Sequence, residues 1–124
     1  MHGGDLPMKT QHTGRRGEAL ARRYLRQRGY DILATNWHCA LGELDIVARL
    51  AGTCVFVEVR TRRSADPQDA LASITPRKRE RLLAAVWAWL EQHEAMEANW
   101  RIDVIAVTPG AKPDVVHVED ALDW

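Results

Sequence analysis

The sequence lacks the features that would assign it to a secreted or membrane class. It has two cysteines among 124 residues, Cys39 and Cys54, which are too few for a disulfide framework. No apolar run approaches the ~20 residues that cross a bilayer. The polar segment 1–13 has no apolar centre of the kind found in signal peptides. We therefore expect a cytoplasmic protein with no membrane partner and with two reduced cysteines packed as small apolar side chains.

The chain also lacks net charge, because 17 Lys and Arg balance 17 Asp and Glu. The zero is a sum over two oppositely charged parts. Residues 1–81 carry 15 Lys and Arg against 9 Asp and Glu, whereas residues 82–124 carry 2 against 8. Most of the cations are Arg, which makes planar two-point contacts with phosphate. The overall balance therefore does not exclude a nucleic-acid partner, and the distribution of charge favours one.

The order of elements predicts one α/β domain. We expect a flexible leader over residues 1–13 and a single domain over residues 14–124. Hydrophobic periodicity and turn residues predict helices over about 14–28 and 76–97, a loop with a short helical turn over 62–75, and strands over 30–37, 42–50, 53–61, 100–108 and 115–118. Thr75 and Pro76 mark the start of the long helix. This order predicts a mixed central sheet flanked by helices.

A hairpin between the second and third strands determines which side chains face each other. If Ala51-Gly52 is its loop, Leu50 pairs with Thr53, and the same register places Asp45 directly opposite Glu58. Along 42–50, alternation puts two sets of side chains on opposite faces: Leu44, Ile46 and Ala48 on one, and Glu43, Asp45 and Val47 on the other.

The opposed carboxylates of Asp45 and Glu58 allow two interpretations. Like charges directly opposite each other destabilise a sheet unless a cation lies between them. Hard divalent ions such as Mg²⁺ take oxygen ligands of this kind. The same register places Glu43 opposite Arg60, so Arg60 could instead satisfy Glu43 or Glu58 without a metal. Spacing alone leaves both interpretations open.

An Asp followed by a strand carrying Glu-x-Arg, within an α-β-β-β-α-β order, resembles the PD-(D/E)xK nuclease superfamily. That superfamily includes restriction endonucleases and Holliday junction resolvases. Within about residues 14–108 the chain is more closely similar to the YraN-like (UPF0102) family of small bacterial proteins predicted to be endonucleases. The segments that carry this similarity are Gly17-Glu18 with Ala21, Tyr24-Leu25, Gly29-Tyr30, Gly42 to Ala48, Val55 to Arg62, Ile74 to Pro76 with Lys78, and Arg101 to Val104.

The resemblance implies a restriction-endonuclease-like αβββαβ core and metal-dependent hydrolysis of phosphodiester bonds in DNA, with Mg²⁺ or Mn²⁺ as cofactor. Asp45 and Glu58 match the superfamily's metal-binding acids, and Glu18 on the first helix matches an additional metal ligand. Arg60 occupies the position of the catalytic lysine, so the expected catalytic set comprises these four residues. Because an arginine stays charged, Arg60 can orient water or stabilise phosphate but is a poor general base.

Cations near the helix starts and after the third strand form the predicted nucleic-acid surface: Arg15, Arg16, Arg62, Arg63, Arg77, Lys78 and Arg79. Cations in the first turn of a helix oppose its dipole, yet such a turn is a good phosphate site. The sequence has no base-reading motif such as a zinc finger. We therefore expect recognition of DNA, more than RNA, by backbone and shape and not by sequence.

Two further functions compete with the nuclease hypothesis. The first is a non-catalytic nucleic-acid-binding module of the same fold, in which Arg60 replaces the catalytic lysine. The second is an adaptor that self-associates through tryptophans and its acidic C-terminal part. Junction resolvases act as dimers, so the resemblance leaves a homodimer open. Asp103 is expected to be a structural hydrogen-bonding acid, and His117 a surface residue.

Overall fold

The computed structural model describes residues 5–63 and 66–122, with side chains from residue 14 onwards. Its helices and strands are α1 (Asp5–Gln27), β1 (Asp31–Cys39), β2 (Gly42–Leu50), β3 (Thr53–Thr61), α2 (Pro67–Ala72), α3 (Pro76–Gln92), β4 (Asn99–Thr108) and β5 (Asp114–Val118). The strands form one sheet in the order β1-β2-β3-β4-β5. The β3–β4 pair is parallel and the other neighbours are antiparallel. The predicted α/β fold with a mixed sheet flanked by helices is therefore confirmed.

Both long helices differ from their predicted bounds. Helix α1 begins at Asp5, not at about residue 14, so it includes residues 5–13 of the predicted leader; residues 1–4 lie outside the described part of the chain. Helix α3 begins at Pro76 as predicted, with Thr75 Oγ1 accepting the Lys78 N–H, but it ends at Gln92. His93 closes it through a hydrogen bond between its ring and the Trp89 carbonyl. Within the described residues, no helix has the length and apolarity needed to span a membrane.

Apolar side chains cover both faces of the sheet. On one face α1 contributes Ala21 and Leu25 to a cluster with β-strand residues that include Ile46 and Val57. On the other face α3 covers a larger cluster: Leu44, Val47, Phe56, Ala70, Ile74, Leu82, Ala85, Val86, Trp89, Leu90, Ile102, Val104, Ala106 and Leu122. Side chains two apart on β3 share a face, so Glu58 follows Phe56 onto the α3 side.

The β2–β3 hairpin has the predicted register over part of its length. Ala51 and Gly52 form the turn with φ values of 50° and 81°, which is the backbone of a type I′ hairpin loop. Pairing runs from Leu50–Thr53 to Ile46–Val57. It does not continue beyond that point, so the ladder does not pair Asp45 with Glu58, nor Glu43 with Arg60, and this part of the prediction is wrong.

A kink across β1 and β2 lies next to the last paired residues of the β2–β3 ladder. The β1–β2 register includes Thr35–Ile46 and Trp37–Leu44 and omits Asn36 and Asp45 between them. Asn36 has a φ of 51°, a left-handed conformation that asparagine tolerates better than most residues. The predicted alternation fails at this kink, because Leu44 packs in the α3-side cluster and Ile46 in the α1-side cluster.

Candidate functional site

Glu58 is the centre of the candidate site. Its side chain is 2% exposed, although it sits on a strand whose neighbours on the same face are Phe56 and Arg60. Two cations reach the same carboxylate oxygen: Arg60 Nη1 lies 3.5 Å from Glu58 Oε2, and Lys78 Nζ lies 3.6 Å from it. Lys78 comes from the first turn of α3. The fold therefore brings one cation from β3 and one from α3 to a single carboxylate oxygen of Glu58.

Asp45 lies against Glu58 despite the break in the ladder. The pKa of Glu58 is raised to about 8, chiefly by burial and then by the charge of Asp45 and a side-chain hydrogen bond with it, while Lys78 and Arg60 oppose the shift. The Oδ2 atom of Asp45 accepts the Val59 N–H at 2.9 Å. The aspartate side chain thus bonds the β3 backbone just beyond the last paired residues of β2, and this contact holds the two acids together.

Glu18 on α1 completes the predicted set of acids. Burial raises the pKa of Glu18, and Asp45 raises it further, while a side-chain hydrogen bond with Asn36 opposes the shift. Asn36, at the kink in β1, thus contacts the α1 acid. Among the residues that the structure describes, no group of three or more His, Cys, Asp and Glu side chains is arranged to hold a metal ion. The close pair of acids is Asp45 and Glu58, with Glu18 beside Asp45.

Arg60 is anchored away from the hairpin partner expected for it. Its Nη2 donates a hydrogen bond to the Ser73 carbonyl at 3.1 Å, in the connection between α2 and α3. Its Nε is buried and has no hydrogen-bond partner among the described residues. The pairing partner of Arg60 among the acids is Glu58 and not Glu43. Two of its three guanidinium nitrogens thus hold β3 and the α2–α3 connection together.

The predicted nucleic-acid residues lie around the carboxyl end of β3. Arg16 donates to the Gly110 carbonyl at 3.3 Å, which links α1 to the β4–β5 loop. Arg62 Nε lies 3.6 Å from Asp69 Oδ2. The remaining predicted cations, some exposed and some half-buried, are Arg15, Arg63, Arg77, Lys78 and Arg79. Glu58 lies near this same end of the sheet, so the structure brings the predicted site and several of the predicted cations to one region.

Sequence reasoning missed two side chains of the site. It assigned Lys78 to the nucleic-acid surface only, because no periodicity or spacing shows that α3 begins beside β3. It read Asn36 as part of an ordinary strand, although an asparagine within β-prone sequence is a signal of left-handed backbone. Both residues owe their place to contacts between elements that are distant in the chain.

A second polar cluster lies on the opposite face of the sheet. Asp103 is fully buried and accepts hydrogen bonds from His117 Nε2 at 2.7 Å, Arg101 Nε at 3.0 Å and the Asp120 N–H at 2.9 Å. Burial alone would raise the pKa of Asp103, but these hydrogen bonds outweigh it and lower the pKa. Asp103 is thus a structural acid, as expected. His117 is not a surface residue, because its side chain is 7% exposed and also bonds the Tyr24 hydroxyl.

A recess lies at the far end of the sheet from Glu58. This cavity of about 530 Å³ is lined by Leu33, Arg49, Gly52, Cys54, Trp89, His93, Ala95 and Ala98. It contains none of the predicted site residues. The candidate site is therefore a cluster of charged side chains at the opposite end of the sheet and not a part of this cavity.

Comparison with known proteins identifies relatives over most of the chain. Residues 17–107 match the model of a family described as uncharacterised protein family UPF0102. A UPF0102 protein of Roseiflexus castenholzii is 50% identical over 114 residues, covering 86% of this chain and 92% of that protein. One from Chloroflexus aurantiacus is 45% identical over 116 residues (91% and 94%), and one from Nocardia farcinica is 40% identical over 111 residues (88% and 87%). This chain belongs to the UPF0102 family.

Proposed function

We propose that this protein is a metal-dependent endonuclease that hydrolyses phosphodiester bonds in DNA and selects its substrate by structure more than by sequence. The observation that carries this proposal is the contact between Asp45 and the 2%-exposed Glu58, with Lys78 and Arg60 on one oxygen of Glu58. Burying a carboxylate beside another is unfavourable unless cations compensate it. Such an arrangement is typical of a functional site.

The donor set fits Mg²⁺ or Mn²⁺. Magnesium is commonly held by one or two carboxylates, with water and substrate phosphate completing its shell. Asp45 and Glu58 would be the protein ligands, and Glu18, whose carboxylate feels the charge of Asp45, would bind directly or through water. The chemistry that the ion supplies in such sites is a lowered pKa of bound water and neutralisation of charge on the phosphate.

The residues of the chain itself supply orientation and cationic contacts. The Val59 N–H fixes the Asp45 carboxylate by donating a hydrogen bond to Oδ2. The Ser73 carbonyl fixes the Arg60 guanidinium, so Arg60 orients Glu58. Lys78 is one-third exposed, which allows its ammonium group to reach a phosphate in solvent as well as Glu58. These roles leave Arg60 as a positioning residue and Lys78 as the cation nearest to an incoming substrate.

The surface cations support DNA as the substrate. Arg15, Arg63 and Arg77 are exposed, and they lie around the end of the sheet that carries Glu58. Arginine contacts to phosphate position a nucleic acid without reading its bases. Recognition by backbone and shape is therefore the mode that these residues support.

The tether of Arg60 to Ser73 also supports a second candidate, a nucleic-acid-binding module without turnover. An anchored, permanently charged arginine cannot accept a proton from water. In that case the Asp45–Glu58 pair would bind a metal and phosphate but would not cleave.

A cleavage assay separates the two candidates. Purified protein is incubated with branched, single-stranded and duplex DNA in the presence of Mg²⁺ or Mn²⁺. The nuclease hypothesis predicts cleavage by the wild type, loss of cleavage in Glu58→Gln, and cleavage in the control Glu80→Gln, which removes an exposed acid from α3. Salt-dependent binding without cleavage would support the binding module, and equal cleavage by Glu58→Gln would exclude the proposed site.

A further inference from the structure

Glu58 Oε2 is shared by two cations that are held very differently. Arg60 Nη1 lies 3.5 Å from this oxygen, and a second nitrogen of the same group donates to the Ser73 carbonyl at 3.1 Å. Lys78 Nζ lies 3.6 Å from the oxygen. Within the described residues, Lys78 Nζ makes no other ion pair. Removing Arg60 from Glu58 would break two contacts, whereas removing Lys78 would break one.

The Lys78 side chain can also reach solvent. Its side chain is 33% exposed, compared with 21% for Arg60 and 2% for Glu58. A lysine ammonium is a compact charge on a flexible four-carbon stem, and the backbone of Lys78 is fixed by the Thr75 cap at the start of α3. The ammonium can therefore swing between the buried oxygen and solvent without movement of the helix.

A divalent ion and the Lys78 ammonium would compete for the same oxygen. A cation that occupies Glu58 Oε2 repels an ammonium 3.6 Å away. A phosphate at the solvent side of Lys78 attracts that ammonium away from Glu58. The divalent ion and the phosphate therefore both favour the position in which the Lys78 ammonium has left Glu58. Because each ligand stabilises the position that the other requires, their binding is coupled.

We infer that Lys78 exchanges Glu58 for a substrate phosphate and thereby couples metal binding to nucleic-acid binding. The inference rests on the proposed function, because it assumes that Glu58 is a metal ligand and that DNA is the second ligand. Coupling between two sites is reciprocal. The protein therefore holds its metal weakly when alone and more tightly on DNA, and it binds DNA more tightly with the metal.

Mn²⁺ binding to the protein without DNA gives the first test. Free Mn²⁺ is measured by electron paramagnetic resonance at one fixed pH for all variants. Lys78→Gln removes the competitor and is expected to bind Mn²⁺ more tightly than the wild type, whereas Lys78→Arg is not. Arg81→Gln is the matched control, because it removes an exposed cation one turn further along α3, and it is expected to match the wild type.

The coupling itself is measured by fluorescence anisotropy of a labelled, phosphorothioate-substituted DNA junction that resists cleavage. Mn²⁺ is expected to raise the DNA affinity of the wild type and of Arg81→Gln by about fivefold or more. Lys78→Gln is expected to lose this enhancement. If Lys78→Gln does not fold, Lys78→Met keeps the stem and removes the charge.

The outcomes separate this inference from the proposed function. Wild-type Mn²⁺ affinity in the uncharged variants, or an unchanged enhancement of their DNA affinity, would overturn the exchange role of Lys78 even if the wild type cleaves DNA. Failure of both the wild type and Lys78→Gln to bind Mn²⁺ would overturn the metal site and this inference with it.

Discussion

Arg60 joins two parts of the molecule through one guanidinium group. Its contacts to Glu58 and to the Ser73 carbonyl link the end of β3 to the segment that leads into α3. The next residue of that segment, Ile74, is buried in the α3-side core. Arginine suits this position because its planar fork can donate in two directions at once, whereas lysine carries a single charged atom.

Replacing Arg60 therefore affects stability. We expect Arg60→Lys to lower the free energy of unfolding by about 1 kcal/mol, the usual loss for one intramolecular hydrogen bond. Urea denaturation measures it. The matched variant Arg77→Lys, at an exposed position of α3, should stay within about 0.5 kcal/mol of the wild type. Equal stability of Arg60→Lys and Arg77→Lys would show that the tether contributes nothing.

Asp103 contributes stability that depends on pH. Hydrogen bonds from His117, Asp120 and Arg101 lower its pKa below the ordinary value of 3.8, despite burial. A carboxyl group whose pKa is lower in the folded state stabilises the fold above its unfolded-state pKa. That stabilisation is lost as the pH falls through the folded-state pKa.

Asp103→Asn should accordingly lower the free energy of unfolding by about 2–3 kcal/mol at neutral pH, because it removes one partner of a buried charged network. The difference from the wild type should shrink as the pH falls below about 3.8. Urea denaturation of both proteins across this range tests the sign. A difference that stays constant down to acidic pH would rule out the lowered pKa of Asp103.

At the scale of elements, the start of α3 is fixed by a close approach to β2. A Cβ atom built on Gly42 would lie 2.5 Å from the Arg81 carbonyl oxygen of α3. This contact is to backbone, so it cannot be relieved by a side-chain rotation. The same packing brings Lys78 within reach of Glu58. Gly42 therefore helps to form the site by allowing α3 to lie close to β2.

Two alanine substitutions in glycine positions should have opposite effects. Gly42→Ala should destabilise the protein by about 1–3 kcal/mol through overpacking. Gly14→Ala, within α1, where the added Cβ meets no described atom within 4 Å outside its neighbours and the backbone of its own helix, should stabilise it by about 0.5–1 kcal/mol through helix propensity. Thermal denaturation compares both with the wild type. Destabilisation of similar size in the two variants would contradict this view of the α3–β2 contact.

The β2–β3 hairpin illustrates what local sequence can predict. The tight turn and strand periodicity gave the correct pairing from Leu50–Thr53 to Ile46–Val57, because both signals are local. The approach of Asp45 to Glu58 was expected from that register, but it arises through the Val59 N–H after the strands separate. The positive φ of Asn36, in the neighbouring strand β1, lies at the same level of the sheet.

Contacts between distant elements set the limit of sequence reasoning. Lys78 was recognisable as a cation in the first turn of a helix, yet its distance to Glu58 depends on how α3 packs against the sheet. The same holds for His117, which looks isolated in sequence and is placed beside Asp103 by the pairing of β5 with β4. These placements follow from packing of the whole chain and have no local signature.

At the scale of the whole molecule, several exposed cations gather around one end of the sheet, although exposed charges of both signs occur at both ends. The cations around the carboxyl end of β3 include Arg15 and Arg77, both exposed. Exposed acids lie towards the opposite end, after α3 and after β5, and include Glu94, Glu97 and Glu119. The zero net charge of the chain therefore does not exclude attraction of a polyanion to the cations around the end that carries Glu58.

This arrangement predicts where salt dependence of DNA binding comes from. The logarithm of the DNA affinity falls as the logarithm of the salt concentration rises. Arg15→Gln and Arg77→Gln should each make this dependence shallower, reducing the magnitude of the slope by about 1, the expected change for one phosphate contact. Arg49→Gln, an exposed cation at the far end of the sheet, should leave the slope unchanged. Fluorescence anisotropy over a range of salt concentrations measures all three. Equal slopes for Arg77→Gln and Arg49→Gln would mean that the basic end is not the binding surface.

The role of Asp45 and Glu58 as metal ligands is tested by the rate of DNA cleavage under single-turnover conditions in Mn²⁺, with wild-type protein and Asp45→Asn. The substitution keeps an oxygen that can accept the Val59 N–H but removes the negative charge of a proposed metal ligand. If Asp45 is a metal ligand, the wild type cleaves DNA and the rate falls by about 100-fold or more in the variant, at unchanged thermal stability or better. Equal rates for the two proteins, or no cleavage by the wild type on any branched, single-stranded or duplex substrate, would contradict this role.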